Sequence, residues 1–574
     1  MLAKCTKMIH ANKRQGFDFI SIKIITFAYL AQIWHRKPLL FMSKTRFVWI
    51  TALCLWANAC LAATPDLIAR IHFAGSTAIS ADPEFRAFNN LFCSTNAEAL
   101  QTQTLDKLAR FPRAWLGARA SVQVADDVPQ IRPLLDDFVH SEWFLEFQDS
   151  SGIAPQFALA IHLSEDRAKL WERDLDSLLT AWTGLPAQSI PGGWSIKKHE
   201  APDSIRFLHL GDWVLVSCEE GGFPLGDGLV QQIKASHRPV AAPKEYWLSV
   251  NANWDRLSRY FAGLRGLNLP VTEVRLVGKG GNICWDGKLD FAQALPVYGN
   301  WQLPTGVLHP PLISFTAMRG IENWLPTLSW ARPYLFAPVP DQLFTWVDPG
   351  MAFMVYGAAP VADGHRALLG LNDAISKAGR SPAGPVNPFA FVPRTQFSND
   401  KISFLGAPYA TPFIQARHDS SGDYILGGFF PATQLAKPLP AEITARLATK
   451  NLVFYHWEIT ADRLRTLPQL AQLLLVLSQH HQLDDGSLAE KWLKQIGPTL
   501  GSTTTMGVQT GPNEVAFTRT APGGLTAVEL FSLACWLEAP DFPGCDLKMP
   551  PPVLHPRLLK PQPPKNNPMP LLIH

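Results

Sequence analysis

The chain contains no Cys-x-x-Cys, no Gly-x-Ser-x-Gly, no His-Glu-x-x-His and no run of five like charges. The first absence removes the spacing of thioredoxin-type redox sites and zinc ribbons. The next two remove the nucleophile elbow of the α/β-hydrolases and the zinc-protease helix. The last removes any charged interaction tail. Beyond residue 63 no run of 18 uncharged apolar residues occurs, the closest being the short "LAQLLLVL" at 470–477. A spanning helix needs about 20.

Positive charge is also scarce where it would matter. Residues 1–63 hold 9 of the 51 Lys and Arg but one of the 48 Asp and Glu, so the rest carries 42 basic against 47 acidic residues, a net of −5. Nucleic-acid binders concentrate positive charge, so no nucleic-acid partner is expected.

The segment "MSKTRFVWITALCLWANACLAATPD" at 42–66 has the parts of a secretory signal. Lys44 and Arg46 form the basic region, Phe47–Ala57 the apolar region, and "ANACLAA" the small-residue end. Its apolar run is too short for a comfortable bilayer span. Met42 is then the expected start, residues 1–41 an over-extension, and 42–63 a cleaved signal. Ala57-Asn58-Ala59 precedes Cys60 in a weak lipobox, so Cys60 is a candidate for lipidation and a membrane tether; release after Ala63 is the alternative. Localisation is expected to be extracytoplasmic, in the periplasm or at the cell surface. There Cys535 and Cys545, the closest of five remaining cysteines, are the candidate disulfide.

Strand–helix–hairpin units recur along the body. They begin at "FALAIHL" (157–163), "YWLSVNA" (246–252), "MAFMVYG" (351–357) and "NLVFYHWEI" (451–459). The last carries Thr460 as a helix cap, a bend or restart at Pro468, and a capping box Ser487-x-x-Glu490. "WDRL" and "ADRL" echo each other at helix starts, and "GGN" and "GPN" at hairpin turns. "LIARIHFAG" (67–75) and "PLISFTAMRG" (311–320) could open two matching halves, 64–300 and 301–547, joined through the Pro-rich "LPTGVLHPP". The tail, 548–574, has nine prolines in its last 26 residues and is expected to be disordered or polyproline-like. Alternating strands and one-faced helices predict an α+β fold: mainly antiparallel sheets with helices on one face, in two duplicated halves. The other face of the sheet is then the expected binding region.

Candidate chemistry is sparse. In "LVFYHWEI" the strand period puts His456 and Glu458 on one face, where a His beside a carboxylate could move protons; a polar solvent face or a satisfied pair is the plainer reading. Asp136 and His140 at i,i+4 could be two metal ligands, without an identifiable third. "VGKGGN" lacks phosphate-loop spacing and reads as a hairpin turn. Ser398-x-x-Lys401 has the spacing of a penicillin-recognising nucleophile, but on a strand rather than a helix start. Two strand–Gly-Gly–helix junctions could hold an anion, "SCEEGGFPLGDGLVQQI" and the one formed by Gly523 and Gly524 with Arg519 nearby; glycines that serve the turn alone are the plainer reading. No cofactor is expected.

With its signal, its repeated units and strands such as "GDWVLVS" (211–217), the body resembles large exported proteins of verrucomicrobial and planctomycetal bacteria. That resemblance implies a compartment and no activity. The expected function is a non-enzymatic binding or scaffold protein, with an envelope protein or glycan as partner. The alternatives are an extracytoplasmic hydrolase with an unfamiliar site and a lipid-anchored envelope assembly factor.

Overall fold

Residues 67–543 are described by a computed structural model, with interruptions of which the longest are 117–126, 261–268, 381–393 and 479–485. Cys60, Cys545, the segment 42–63 expected to be a signal and the Pro-rich tail lie outside the described residues.

The first half contributes ten strands: β1 (Leu67–Phe73), β2 (Trp143–Gln148), β3 (Gln156–His162), β4 (Gln188–Ile190), β5 (Gly193–Lys197), β6 (Asp203–Leu210), β7 (Trp213–Glu220), β8 (Leu248–Asn253), β9 (Val271–Lys279) and β10 (Asn282–Asp290). The second contributes β11 (Ser314–Arg319), β12 (Gln342–Val347), β13 (Val355–Val361), β14 (Arg394–Ser398), β15 (Lys401–Leu405), β16 (Phe413–Asp419), β17 (Gly422–Gly428), β18 (Leu452–Ile459), β19 (Ser502–Gln509) and β20 (Glu514–Ala521). All described pairings are antiparallel. In space the first set runs β4-β5-β6-β7-β3-β2-β1-β8-β9-β10. The second runs β14-β15-β16-β17-β13-β12-β11-β18-β19-β20. Each strand has a counterpart ten numbers higher. The sets meet where β10 pairs β20, Ile283–Asp290 against Ala521–Glu514. Outward from this seam the strand order is the same in both directions, as a two-fold axis through the seam would make it.

Local chemistry explains the joints. The β9–β10 hairpin turns on Gly280 and Gly281, both at positive φ (58° and 71°), the backbone that a two-residue hairpin loop needs. Most helices lie on one face. They are α1 (Ser76–Ala81), α2 (Thr95–Leu116), α3 (Val128–His140), α4 (Glu165–Thr183), α6 (Gly364–Arg380), α8 (Thr460–Ser478), α9 (Leu488–Ile496) and α10 (Ala527–Glu538). In the first half α4 sets Trp171 and Leu178 against Ile71, Phe73, Trp143 and Ile161. Over the second half Leu464, Trp492, Ile496 and Leu530 form one cluster, which Leu91 and Leu100 join from the first half. The helix at 460–478 continues through Pro468 instead of breaking there.

Two helices depart from the one-sided expectation. α5 (Pro224–Ser236) packs Leu229 and Ile233 on Phe144, Ala160 and Leu215, which alternate with the residues beneath α4. α7 (Ala441–Leu447) does the same in the second half, with Ile443 and Leu447 against a cluster holding Phe315, Ala317 and Phe344. Those strands are apolar on both faces and need cover on both. Over β1, β8, β9 and β10 that second face is different: Arg70, Asn251, Glu273, Arg275, Asp286 and Lys288 are half-buried there.

Candidate functional site

Register pairing defines a row of side chains across the helix-covered face. In the first half it runs Trp143, Phe73, Leu248, Leu276, Trp285. Across the seam it continues as Arg519, Thr505, His456 and Thr316. The neighbouring row of the second half is Thr503, Glu458 and Ser314. One half thus buries an apolar ladder where the other buries a polar one.

His456 and Glu458 share a face, as the strand period requires, but the face is not solvent. They are 5% and 1% exposed, less than their neighbours Phe454 and Trp457, because α8 and α10 close over them. His456 Nδ1 pairs with Thr316 Oγ1 at 2.8 Å, and Nε2 lies 3.4 Å from Glu458 Oε2. Glu458 Oε1 accepts from the Ala527 amide at 2.7 Å and from Thr460 Oγ1 at 3.3 Å, while Thr460 Oγ1 pairs with Thr503 Oγ1 at 2.7 Å. Arg463, on α8, is also enclosed; burial lowers its pKa, and the Glu458 charge opposes that shift. These residues can hold α8 and α10 to the sheet. A substrate would have to displace both helices to reach them.

The glycine junctions behave alike. Gly523 and Gly524 lead into α10, but the anion at that helix start is internal. Glu458 takes the Ala527 amide, and Glu529 takes the Thr526 amide at 2.8 Å. Arg519 is engaged by both Glu529 oxygens, at 2.8 and 3.0 Å. At the other junction Glu219, fully buried, accepts from the Leu225 and Gly226 amides at 2.7 and 3.0 Å. A carboxylate of the chain itself satisfies each helix N-terminus.

The remaining candidates are placed as follows. Asp136 and His140 do share a face of α3, but Asp136 pairs with Arg132 at 3.2 Å, and His140 Nδ1 lies 2.6 Å from the Asp136 carbonyl. Among the described residues no group of three or more His, Cys, Asp or Glu could hold a metal ion. Cys535 is half-buried, and burial pushes its thiol up to about 12. "VGKGGN" is a hairpin turn, and Ser398 pairs with Lys401 across the β14–β15 turn.

Sequence reasoning missed a pocket of about 550 Å³ on the α5 side of the first half, lined by His72, Glu142, His162, Asp212, Arg238 and Tyr246 among others. His72 Nε2 lies 2.9 Å from Glu142 Oε1, and Arg238 Nη2 donates to the same oxygen. Burial pushes the Glu142 carboxyl up, but the His72 hydrogen bond and the Arg238 and His72 charges together bring it below its ordinary value. The His72 ring stacks on Phe144 with centroids 4.3 Å apart. Asp212, exposed in the β6–β7 turn, makes no side-chain hydrogen bond or ion pair among the described residues. The signal was present in "LIARIHF", where Arg70 and His72 interrupt an otherwise apolar strand.

No family model, curated protein or solved structure matches the chain.

Proposed function

We propose that the chain works outside the cytoplasm as a non-enzymatic binding or scaffold protein, exported through the signal at 42–63, like the bacterial exported proteins it resembles. The observation that carries this reading is the state of Glu458. The carboxylate best placed for acid–base work with His456 is spent on Thr460 and on the Ala527 amide, beneath two helices. General acid–base catalysis needs a group within reach of substrate, directly or through one water. A continuous sheet, fused at its centre, suits a scaffold. Its half-open charged strip around Arg70, Glu273, Arg275 and Lys288 offers a polar envelope partner, protein or glycan, a surface to meet. No described helix is long and apolar enough to cross a membrane.

The test is expression from Met42 in a host with both signal peptidases. The expected product is an envelope-fraction chain beginning at Thr64, or at Cys60 with acyl chains. Purified, it should turn over ester, phosphate, peptide and glycoside substrates no faster than its Glu458→Gln variant. An unprocessed cytoplasmic chain, or turnover that the variant abolishes, overturns the reading.

A further inference from the structure

The two halves differ in what covers the α5 and α7 faces. In the second half the linker between the halves lies there. Gln342, at the start of β12, accepts from the Gln302 amide at 3.0 Å and donates to the Asn300 carbonyl at 3.0 Å. Asp419, at the β16–β17 turn, accepts from the Gly306 amide at 2.8 Å. Val307, Leu308 and Leu312 are then buried in the cluster of Phe315, Phe344 and Trp346. The first-half pocket occupies the corresponding place: the start of β2 with Glu142, the β6–β7 turn with Asp212, and the end of α5. There the turn carboxylate has no described partner, and the strand-start carboxylate faces the pocket.

The docked stretch of the linker is Val307-Leu308-His309-Pro310-Pro311-Leu312, in which Val307, Leu308, His309 and Leu312 are buried, Pro310 is half-buried and Pro311 is exposed. The tail carries Val553-Leu554-His555-Pro556-Arg557-Leu558, identical at five of six positions. Val307 follows the end of β10 by 17 residues. Val553 follows the end of β20 by 32, of which α10 takes 12. Each half is thus followed by a closely similar short segment, 17 residues after β10 in one case and 32 after β20 in the other. The segment after the first half crosses to the second. Under the symmetry of the strand order, the segment after the second half crosses to the first.

We propose that residues 553–558 of the C-terminal tail dock in the pocket between Glu142, Asp212 and the end of α5, as the linker docks on the second half. The one position that differs puts Arg557 in place of the exposed Pro311, and Lys560 follows two residues after Leu558, which suits a site bearing the exposed Asp212 carboxylate. The ten residues from Pro543 to Val553 can span up to about 33 Å when extended, more than the roughly 10 Å of one packed layer.

Two measurements test this on the chain from Thr64. In the first, benzoylphenylalanine replaces Leu554, and the irradiated protein is digested and mapped. Crosslinks within one chain to 210–213 and 233–238 are expected. Crosslinks only elsewhere, only between two chains, or none at all overturn the proposal. In the second, a labelled peptide of residues 549–562 is titrated by fluorescence anisotropy into the chain ending at Lys548. Saturable binding is expected, at least tenfold weaker for Leu554→Asp in the peptide and at least tenfold weaker to the chain that keeps its own tail. No binding, or equal binding to both chains, overturns it.

Discussion

Glu458 on β18 accepts the backbone amide of Ala527 on α10 at 2.7 Å, across 69 residues of chain. One buried carboxylate therefore positions a helix start, faces a buried histidine and offsets a buried arginine. Replacing Glu458 by Ala leaves the amide and Arg463 without their acceptor and counter-charge. The expected loss is about 3–5 kcal/mol, as for the breaking of other buried pairs. Glu458→Gln keeps an acceptor for the amide and should lose less. Urea denaturation of both variants measures the difference.

Asp348 gives a pH dependence of opposite sense to that of most carboxylates. Burial raises it from 3.8 to about 6, against the pull of the His309 charge, and its Oδ1 has no described partner. The folded chain holds this proton more tightly than the unfolded one, so the contribution to stability is complete below the unfolded value and is lost as pH rises through about 6. Wild type should therefore lose stability relative to Asp348→Asn between about pH 4 and pH 6. Thermal melts of both proteins across that range would show it; parallel curves would refute it.

Glu142 should behave the other way. Its carboxyl is lowered, the His72 and Arg238 interactions outweighing burial. Its contribution is present above the ordinary carboxylate range and lost as pH falls through the depressed value. Glu142→Gln is expected to cost about 1 kcal/mol at pH 7, since the site is partly solvated. The difference from wild type should shrink in acid, as chemical denaturation at pH 7 and pH 3.5 can measure.

The seam depends on a small residue. A Cβ built on Gly287 would stand 2.0 Å from the Glu273 carbonyl oxygen and 2.6 Å from Val274 Cγ2. Gly287 pairs with Val274 on one side and Phe517 on the other, so the strand cannot move away without losing register on both. Gly287→Ala should cost about 1–3 kcal/mol. Hydrogen exchange at β10 and β20 should rise together in this variant.

Strand placement was legible because the period-two pattern is strong in segments such as "WVLVSC" and "FYHWEI", and because Gly280 and Gly281 mark their turn without ambiguity. The α+β class follows from the same signals. The burial of His456 and Glu458 was not legible. Polar alternation in a strand looks the same whether the face meets water or a helix arriving 69 residues later. The echo of "WDRL" in "ADRL" pointed at counterpart strands, yet gave no hint that an apolar ladder in one half faces a polar one in the other. The pocket escaped because Glu142, Asp212 and Arg238 are scattered over three loops that only the strand order gathers. Pairing of Cys535 with Cys545 lies outside the described residues.

The seam also sets a schedule. β10 ends at Asp290, and its partner strand does not begin until Glu514, 224 residues later. At roughly 5–20 residues per second of synthesis, the first half waits about 10–45 s with one edge of its sheet unpaired. An unpaired strand edge invites the wrong neighbour. The half-buried charges of that edge, Asp286, Lys288 and Asp290, are the kind that keep such an edge from pairing prematurely, so the same residues that border the finished sheet's open strip would guard its unfinished one.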